Sequence, residues 1–215
     1  MSVRLVQKVG ETFNAATTNI STITATVPVP VGQFLILGSR SGNGIVLTSI
    51  SDSSGNTWVK LNNTPAVLNV CSVWYCTVTN ALTTSSTITC TFSGATSNNN
   101  IAVWAFDGIT RPTTTNQIAN NSTSTSISVA SVSPSQYGSL MFSVGVSNIV
   151  PNTFSVSSGW TLLPITTSSI FLCAAYAIPN SMEPLATTWT FGSSGNNAAV
   201  SGTFTPNGGD FLALF

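Results

Sequence analysis

Short runs in which apolar and polar residues alternate recur along the whole chain, separated by turn-forming Gly, Asn, Ser and Pro. No window of about a dozen residues shows the i, i+3, i+4, i+7 apolar spacing of an amphipathic helix. Alternation with a period of two places apolar side chains on one face of a strand. The pattern therefore predicts an all-β protein with the strand spacing of a sandwich or barrel.

The alternating runs predict seven strands in each half of the chain. In the first half they are Ile20–Thr26, Gln33–Ser39, Ile45–Ser51, Thr57–Leu61, Val70–Thr79, Thr87–Ser93 and Ile101–Phe106. In the second half they are Thr125–Ser131, Ser139–Ser147, Thr153–Ser157, Thr161–Ile165, Ile170–Ile178, Thr187–Phe191 and Ala198–Thr205.

The two halves also repeat one another in residue identity and order. The run Gly32–Ser39 matches Gly138–Gly145, and a Ser-Ser-Gly turn precedes both Trp58 and Trp160. Three later matches follow in the same order: 73–77 with 174–178, 89–94 with 188–192, and 101–106 with 199–204. We interpret this as an internal duplication that gives two tandem β-sandwich domains. Spacing does not choose between a jelly-roll and an immunoglobulin-like order.

The repeat sets the predicted boundaries. An N-terminal arm covers 1–19, the first β-sandwich repeat 20–109, a linker 110–123, the second repeat 124–206, and an apolar C-terminal tail 207–215. The linker has few apolar residues, and Pro112 is expected to prevent a continuing strand.

Charged residues make up 5% of the chain, and the formal net charge is zero. Binding to nucleic acid or to anionic membranes needs clustered Lys and Arg, so neither partner is expected. The hydrophobic fraction of 42% is too high for a disordered chain. Because a nearly uncharged surface gives little repulsion between molecules, the composition predicts a protein that functions inside an assembly.

The first ten residues contain Arg4 and Lys8 and no apolar h-region, so we expect no signal peptide and synthesis in a cytoplasm. No run reaches the roughly 18 consecutive apolar residues of a membrane span.

The chain has no His, and its five acidic residues are scattered, so the sequence predicts no catalytic residues and a protein that is not an enzyme. We also expect no cofactor and no metal. Asp52 and Asp107 are predicted to form turns. A calcium site in the loop from Asp52 to Asn56 is the weaker alternative, because one carboxylate is a poor ligand set. The four Cys are predicted to be reduced and buried.

Aromatic and apolar residues supply the candidate interfaces. Trp58 and Trp160 recur in both repeats and are predicted to close the cores. Trp74 and Tyr75 must face opposite sides of their strand. Because only Tyr75 has an aromatic counterpart, Tyr176, Trp74 is predicted to face outward at an interface. The tail supplies the other interface candidates, which are Phe211, Leu212, Leu214 and Phe215. The alternative for the tail is an edge strand of its own sandwich.

These elements resemble a domain type of bacteriophage structural proteins and some bacterial surface proteins. The resemblance rests on the Gly-x-Phe/Leu strand at Gly32, the Asp52–Trp58 turn, the Val73–Tyr75 strand and the close at 102–108, Ala-Val-Trp-Ala-Phe-Asp-Gly. It covers 20–108 well and 124–205 more loosely. It implies a sandwich that decorates capsids or forms head or tail fibres.

The expected function is therefore that of a structural virion protein, a capsid decoration or cement protein that binds and stabilises the head shell. The expected partners are the major capsid protein and further copies of itself, with a homotrimer favoured. One alternative is a carbohydrate- or receptor-binding fibre module with a glycan as partner. The other is a small capsid protein with two jelly rolls.

Overall fold

The structure, a computed structural model, describes residues 2–66, 68–149, 153–165 and 171–207, and for residues 111–122 it describes the backbone alone. The described residues form fourteen β-strands. A search of these residues for a helix long and apolar enough to cross a membrane finds none.

In the first half the strands are β1 (Arg4–Asn14), β2 (Thr18–Thr24), β3 (Phe34–Gly42), β4 (Leu47–Asp52), β5 (Val59–Asn63), β6 (Asn69–Thr77), β7 (Thr87–Thr96) and β8 (Asn99–Asp107). In the second half they are β9 (Ile109–Val132), β10 (Leu140–Ser147), β11 (Phe154–Val156), β12 (Thr161–Leu162), β13 (Leu172–Ala177) and β14 (Leu185–Pro206). The predicted all-β fold is confirmed.

The first half is a sandwich of two antiparallel sheets. One has the order β1-β8-β3-β6-β5 and the other the order β2-β7-β4. In β7, Ile88, Cys90 and Phe92 are buried, whereas Thr89 and Thr91 between them are partly exposed. The buried members pack between the sheets with Leu35, Leu37 and Trp58, among others. Alternation along each strand thus builds the core that the sequence predicts.

The pairing of these strands is that of a jelly roll. β1 pairs with β8, β2 with β7 and β3 with β6, as if one long hairpin had been rolled into two sheets. Eight strands in two sheets with such nested pairs form a jelly roll, whereas immunoglobulin-like sandwiches order their strands differently. The choice that spacing left open therefore falls on the jelly roll.

The strands of the second half pair in the same order, but two long strands, β9 and β14, replace four shorter ones. β9 pairs with β14 from Pro206↔Ile109 to Leu185↔Val132, with five register shifts. The later part of β14 also pairs with β10, and its earlier part pairs with β11. β13 lies between β10 and β12. The two long strands thus take the positions that β1, β2, β7 and β8 hold in the first half. An internal duplication would leave this order, and the duplication itself stays a prediction.

The structure corrects two predicted boundaries. The arm 1–19 contains β1, which pairs with β8 from Arg4↔Asp107 to Asn14↔Asn99. Two register shifts in β1 interrupt its period-two pattern, and the alternation therefore did not predict this strand. The linker 110–123 lies within β9. Pro112 does not end this strand, in keeping with the position of β9 at a sheet edge, where proline is tolerated.

A third apolar core, which we call the seam, joins the two sandwiches. It forms where the outer face of the five-stranded sheet packs against the sheet that contains β10, β13 and the later part of β14. From the first half it includes Phe34, Ile36, Val73, Trp104 and Phe106, and from the second half Leu140, Phe142, Val144, Val200 and Phe204.

The two halves meet at the seam about a local two-fold axis. Tyr75 contacts the edge of Phe204 at 6.1 Å between ring centroids, and Phe106 contacts Tyr176 at 5.9 Å, with interplanar angles of 74° and 71°. Tyr75 and Tyr176 hold equivalent positions on β6 and β13, and Phe106 and Phe204 do so on β8 and β14. The seam thus resembles the self-complementary interface of a symmetric dimer within one chain.

Gly38 of β3 packs against Val144 of β10. A Cβ atom at this position would be 2.9 Å from Cγ2 of Val144. The absence of a side chain at 38 therefore allows the two central strands to approach, and it fixes the spacing of the seam.

Candidate functional site

The carboxylate of Asp52 organises the turn between β4 and β5. Its Oδ1 accepts hydrogen bonds from the backbone N–H groups of Ser54 at 2.9 Å and Asn56 at 3.2 Å. Its Oδ2 accepts a bond from Nε1 of Trp58 at 2.8 Å. The predicted turn role is confirmed. Because these oxygens face N–H donors, the arrangement does not favour the calcium alternative.

Two other carboxylates lie beside bases. Asp107 is 2.7 Å from Arg4, and Glu11 is 3.2 Å from Lys8. Neither ion pair places a carboxylate beside a second carboxylate or beside a nucleophilic side chain. A search of the described residues finds no group of three His, Cys, Asp or Glu that could hold a metal.

The cation of Arg40 is buried at the end of the seam. Its side chain is 5% exposed, its Nη1 donates to the carbonyl of Asn98 at 2.7 Å, and its Nη2 donates to Oδ1 of Asn69 at 2.8 Å. The Phe171 ring from the second half lies 4.9 Å from the guanidinium carbon. Burial lowers the pKa of Arg40 to about 10.

Asn69 connects this cluster to the second sandwich, because its Nδ2 donates to the carbonyl of Asn196. Phe13 of β1 stacks on Phe171, with 5.7 Å between the ring centroids. Val146 holds the position on β10 that Arg40 holds on β3. Because the second half has no basic residue at this position, the sequence repeat did not single out Arg40 as a candidate. We interpret the Arg40 cluster as a polar contact between the halves.

The described cysteines are free and buried, as predicted. Burial raises the pKa of all four thiols, and it raises those of Cys76 and Cys90 to about 12. A nucleophilic cysteine needs a lowered pKa and access to solvent. These thiols therefore act as small core residues.

The prediction for Trp74 is wrong. Its side chain is 6% exposed and packs in the core of the first sandwich, with Nζ of Lys60 5.7 Å from the ring centroid. Tyr75 faces the other way and stacks on Phe34 in the seam, 5.5 Å between centroids. The outward face of this strand is covered by the second half, which the repeat could not reveal. The other predicted interface residues, Phe211, Leu212, Leu214 and Phe215, lie outside the described residues.

Trp58 and Trp160 both close cores, as predicted. Each side chain is 8% exposed. The indole of Trp160 donates to the carbonyl of Ala186 at 3.1 Å, because Val156 stands in the second half where Asp52 stands in the first.

The outer face of the sheet β2-β7-β4 is a neutral hydroxyl surface. Register places Thr22, Thr89 and Ser51 in one cross-strand row, and Ile20, Thr91 and Ser49 in the next. Their side chains are exposed or partly exposed. The face thus offers hydroxyl and methyl groups without charge.

A cleft of about 370 Å³ opens at the end of the molecule opposite the Arg40 cluster. The turn Pro30–Gln33, the segment Asp107–Ile109 and Asn207 line it. Oε1 of Gln33 is buried there without a partner among the described residues. The carboxylate in the cleft, Asp107, is the one that Arg4 contacts. The cleft contains no described pair of groups that would support catalysis.

No protein-family model and no curated protein matches the chain. Two solved structures of glycoside hydrolase BuGH86 with neoagarooctaose, the wild type and the E322Q variant, share 10% identity with it at TM-scores of 0.30 and 0.26. They align with 93% and 94% of this chain, which spans about a third of their length (34% and 36%). The B domain of a biofilm-associated protein shares 9% identity at a TM-score of 0.22, over 93% of this chain and 73% of that domain. Similarity at this level carries no argument about function.

Proposed function

We propose that this chain is a structural virion protein that binds the outside of a capsid shell as a decoration or cement protein, and that it is not an enzyme. The observation that carries the proposal is the joining of two jelly rolls through the seam into one body with neutral outer faces. Jelly rolls recur in viral capsid and lectin domains, which supports the proposal by analogy.

The seam gives such a protein rigidity. Its apolar side chains are almost completely buried, including Trp104, Phe106, Phe142 and Phe204 at 0% exposure. A body of this kind can stabilise a shell through buried contact area without reorganising when it binds.

The proposed partners are the major capsid protein and further copies of this chain. The proposed anchor is the tail, since four of its last five residues are large and apolar. Each would contribute about 1.5–3 kcal/mol if it became buried on binding.

Replacing Phe211, Leu212, Leu214 and Phe215 together by Ser tests the anchor while keeping the chain length. We expect the variant to lose co-sedimentation with purified particles, while its melting temperature stays that of the wild type. The control is Thr22→Lys, which adds a charge to an exposed residue far from the tail in sequence. Unchanged binding would contradict the anchor, and a large fall in melting temperature would assign the tail to the protein's own fold.

A second candidate, a carbohydrate-binding fibre module, is favoured by the lectin association of the jelly roll and by the cleft near Gln33. A glycan array with the isolated protein separates it from the first. A third, a shell-building capsid protein with two jelly rolls, is favoured by the topology. Electron microscopy of intact particles decides, because decoration gives surface knobs and a capsid protein gives the wall itself.

A further inference from the structure

We infer that β4 is an open sheet edge at which a second copy of this chain pairs, antiparallel and about a two-fold axis. Unpaired strand edges bind other strands unless charge, proline, short length or a covering element prevents it. The described edges differ sharply in how they are protected.

Basic residues lie on edge strands of the two central sheets. Of the five Lys and Arg in the chain, Arg4 and Lys8 lie on β1, Lys60 on β5 and Arg111 on β9, and the fifth is buried Arg40. β9 also carries Pro112. Four of the five basic residues therefore lie on edge strands.

Short length or a covering contact protects other edges. β11 has three residues and β12 has two. The C-terminal end of β2 lies against β1, because the backbone N–H of Thr26 donates to the carbonyl of Val9 at 2.9 Å and a Cβ on Gly10 would lie 2.9 Å from the carbonyl oxygen of Thr24.

β4 has no basic residue, no proline and no described strand on its outer side, and its regularly paired segment is short. Its six residues contain no Lys, Arg or Pro, and the carboxylate of Asp52 at its end is engaged by its own turn. The described strands pair with one side of it, through β7. A register shift falls between Leu47 and Ser49, and Ser49–Asp52 then pair regularly.

The backbone of β4 points bonding groups to the open side. The N–H of Ser53 donates to the carbonyl of Thr87, so Ser51 and Ser49, opposite Thr89 and Thr91, also turn toward β7. The N–H and C=O of Ile50, between these two residues, therefore point away from β7.

The backbone geometry favours a second copy, because antiparallel pairing about Ile50 places the N–H and C=O of one Ile50 opposite the C=O and N–H of the other. Ile50 lies in the middle of the open segment, and antiparallel pairing of two β4 strands about it creates a six-stranded outer sheet. No basic side chain of either β4 opposes this contact. The regular segment is short, so the contact is weak and forms at high protein concentration.

This inference rests on the sheet edges and is independent of the proposed virion role. Sedimentation velocity of the free protein tests pairing at β4, and co-sedimentation with particles tests the proposed virion role. Failure of one leaves the other standing.

The experiment compares Ser51→Lys with Thr22→Lys. Both residues are exposed and lie in the same cross-strand row on either side of Thr89, but Ser51 is on β4 and Thr22 is on β2, the strand whose end lies against β1. Sedimentation velocity over a concentration series gives the dissociation constant. We expect a wild-type monomer–dimer equilibrium, at least about tenfold weaker association for Ser51→Lys, and little change for Thr22→Lys.

Ser49→Lys, also exposed on β4, is a second edge variant in case Ser51→Lys fails to fold. Equal weakening by the Ser51 and Thr22 variants would overturn the inference in favour of a contact through the sheet face. Wild-type protein that stays monomeric at millimolar concentration, or forms trimers insensitive to both edge variants, would also overturn it.

Discussion

At the scale of single residues, the buried thiols couple ionisation to stability, because burial raises their pKa. All four are buried, and the Sγ atoms of Cys71 and Cys173 bond to the carbonyls of Val144 and Gly145. Because burial opposes the thiolate, the folded protein keeps these protons to a higher pH than the unfolded chain does.

The free energy of unfolding is therefore expected to fall as pH rises above about 9, where thiols of the unfolded chain ionise and the folded thiols do not. For Cys90 the slope is about 1.4 kcal/mol per pH unit between the unfolded and folded pKa values. Urea unfolding at pH 7 and pH 10 measures it. In Cys90→Ala the pH dependence should shrink by that amount, and an unchanged slope would contradict the prediction.

Trp58→Ala is expected to lower the free energy of unfolding by about 3–5 kcal/mol, and so is Trp160→Ala, because both indoles fill cores. Trp58→Phe should cost less, because the ring volume largely remains while the bond to Asp52 is lost. Chemical denaturation checks all three variants. A loss below about 0.5 kcal/mol for either alanine variant would place that indole on a surface.

Residue roles could be predicted from the sequence where they depend on local geometry. The Asp52 turn and the two core indoles depend on neighbours within a few positions. The burial of Arg40 depends on contacts with the other half, and Trp74 was misplaced because the second half covers the opposite face of its strand.

At the scale of elements, alternation predicted fourteen strands, and each overlaps an observed strand because period-two burial holds wherever a strand has one polar face. The alternation did not predict β1 or the first part of β9. β1 is interrupted by register shifts, and β9 carries Pro112 at an edge. The apolar run Phe34–Leu37 did contain a signal for the seam, since consecutive apolar residues are typical of strands buried on both faces.

The crossing of β3 and β10 gives an element-scale prediction. Gly38→Ala should destabilise the protein by about 1–3 kcal/mol, because the added methyl group would contact Val144 too closely. In Gly38→Ala/Val144→Ala, space is restored, so the two changes should be coupled by at least about 0.5 kcal/mol. A double-mutant cycle from urea denaturation measures the coupling. Simple additivity would contradict the close approach.

At the scale of the whole molecule, the seam makes the two jelly rolls depend on one another. Neither half buries the outer face of its central sheet alone, so separation would expose Trp104, Phe106, Phe142 and Phe204 to water.

The protein is therefore expected to unfold in one cooperative transition. Differential scanning calorimetry checks this, since the calorimetric and van't Hoff enthalpies should agree. Phe142→Ala should lower the single melting temperature without splitting the transition. Two resolved transitions in the wild type would show that the jelly rolls are energetically independent.

The pairing of β14 also has a mechanical consequence. This strand runs from the outer sheet of the second jelly roll into its central sheet, and β9 and β10 flank it. Tension along the axis of β14, applied at residue 206, would load its ladders with β9 and β10 in shear. Many hydrogen bonds would then have to break together. A chain tethered through this end would resist pulling far better than one whose last strand could be peeled away bond by bond.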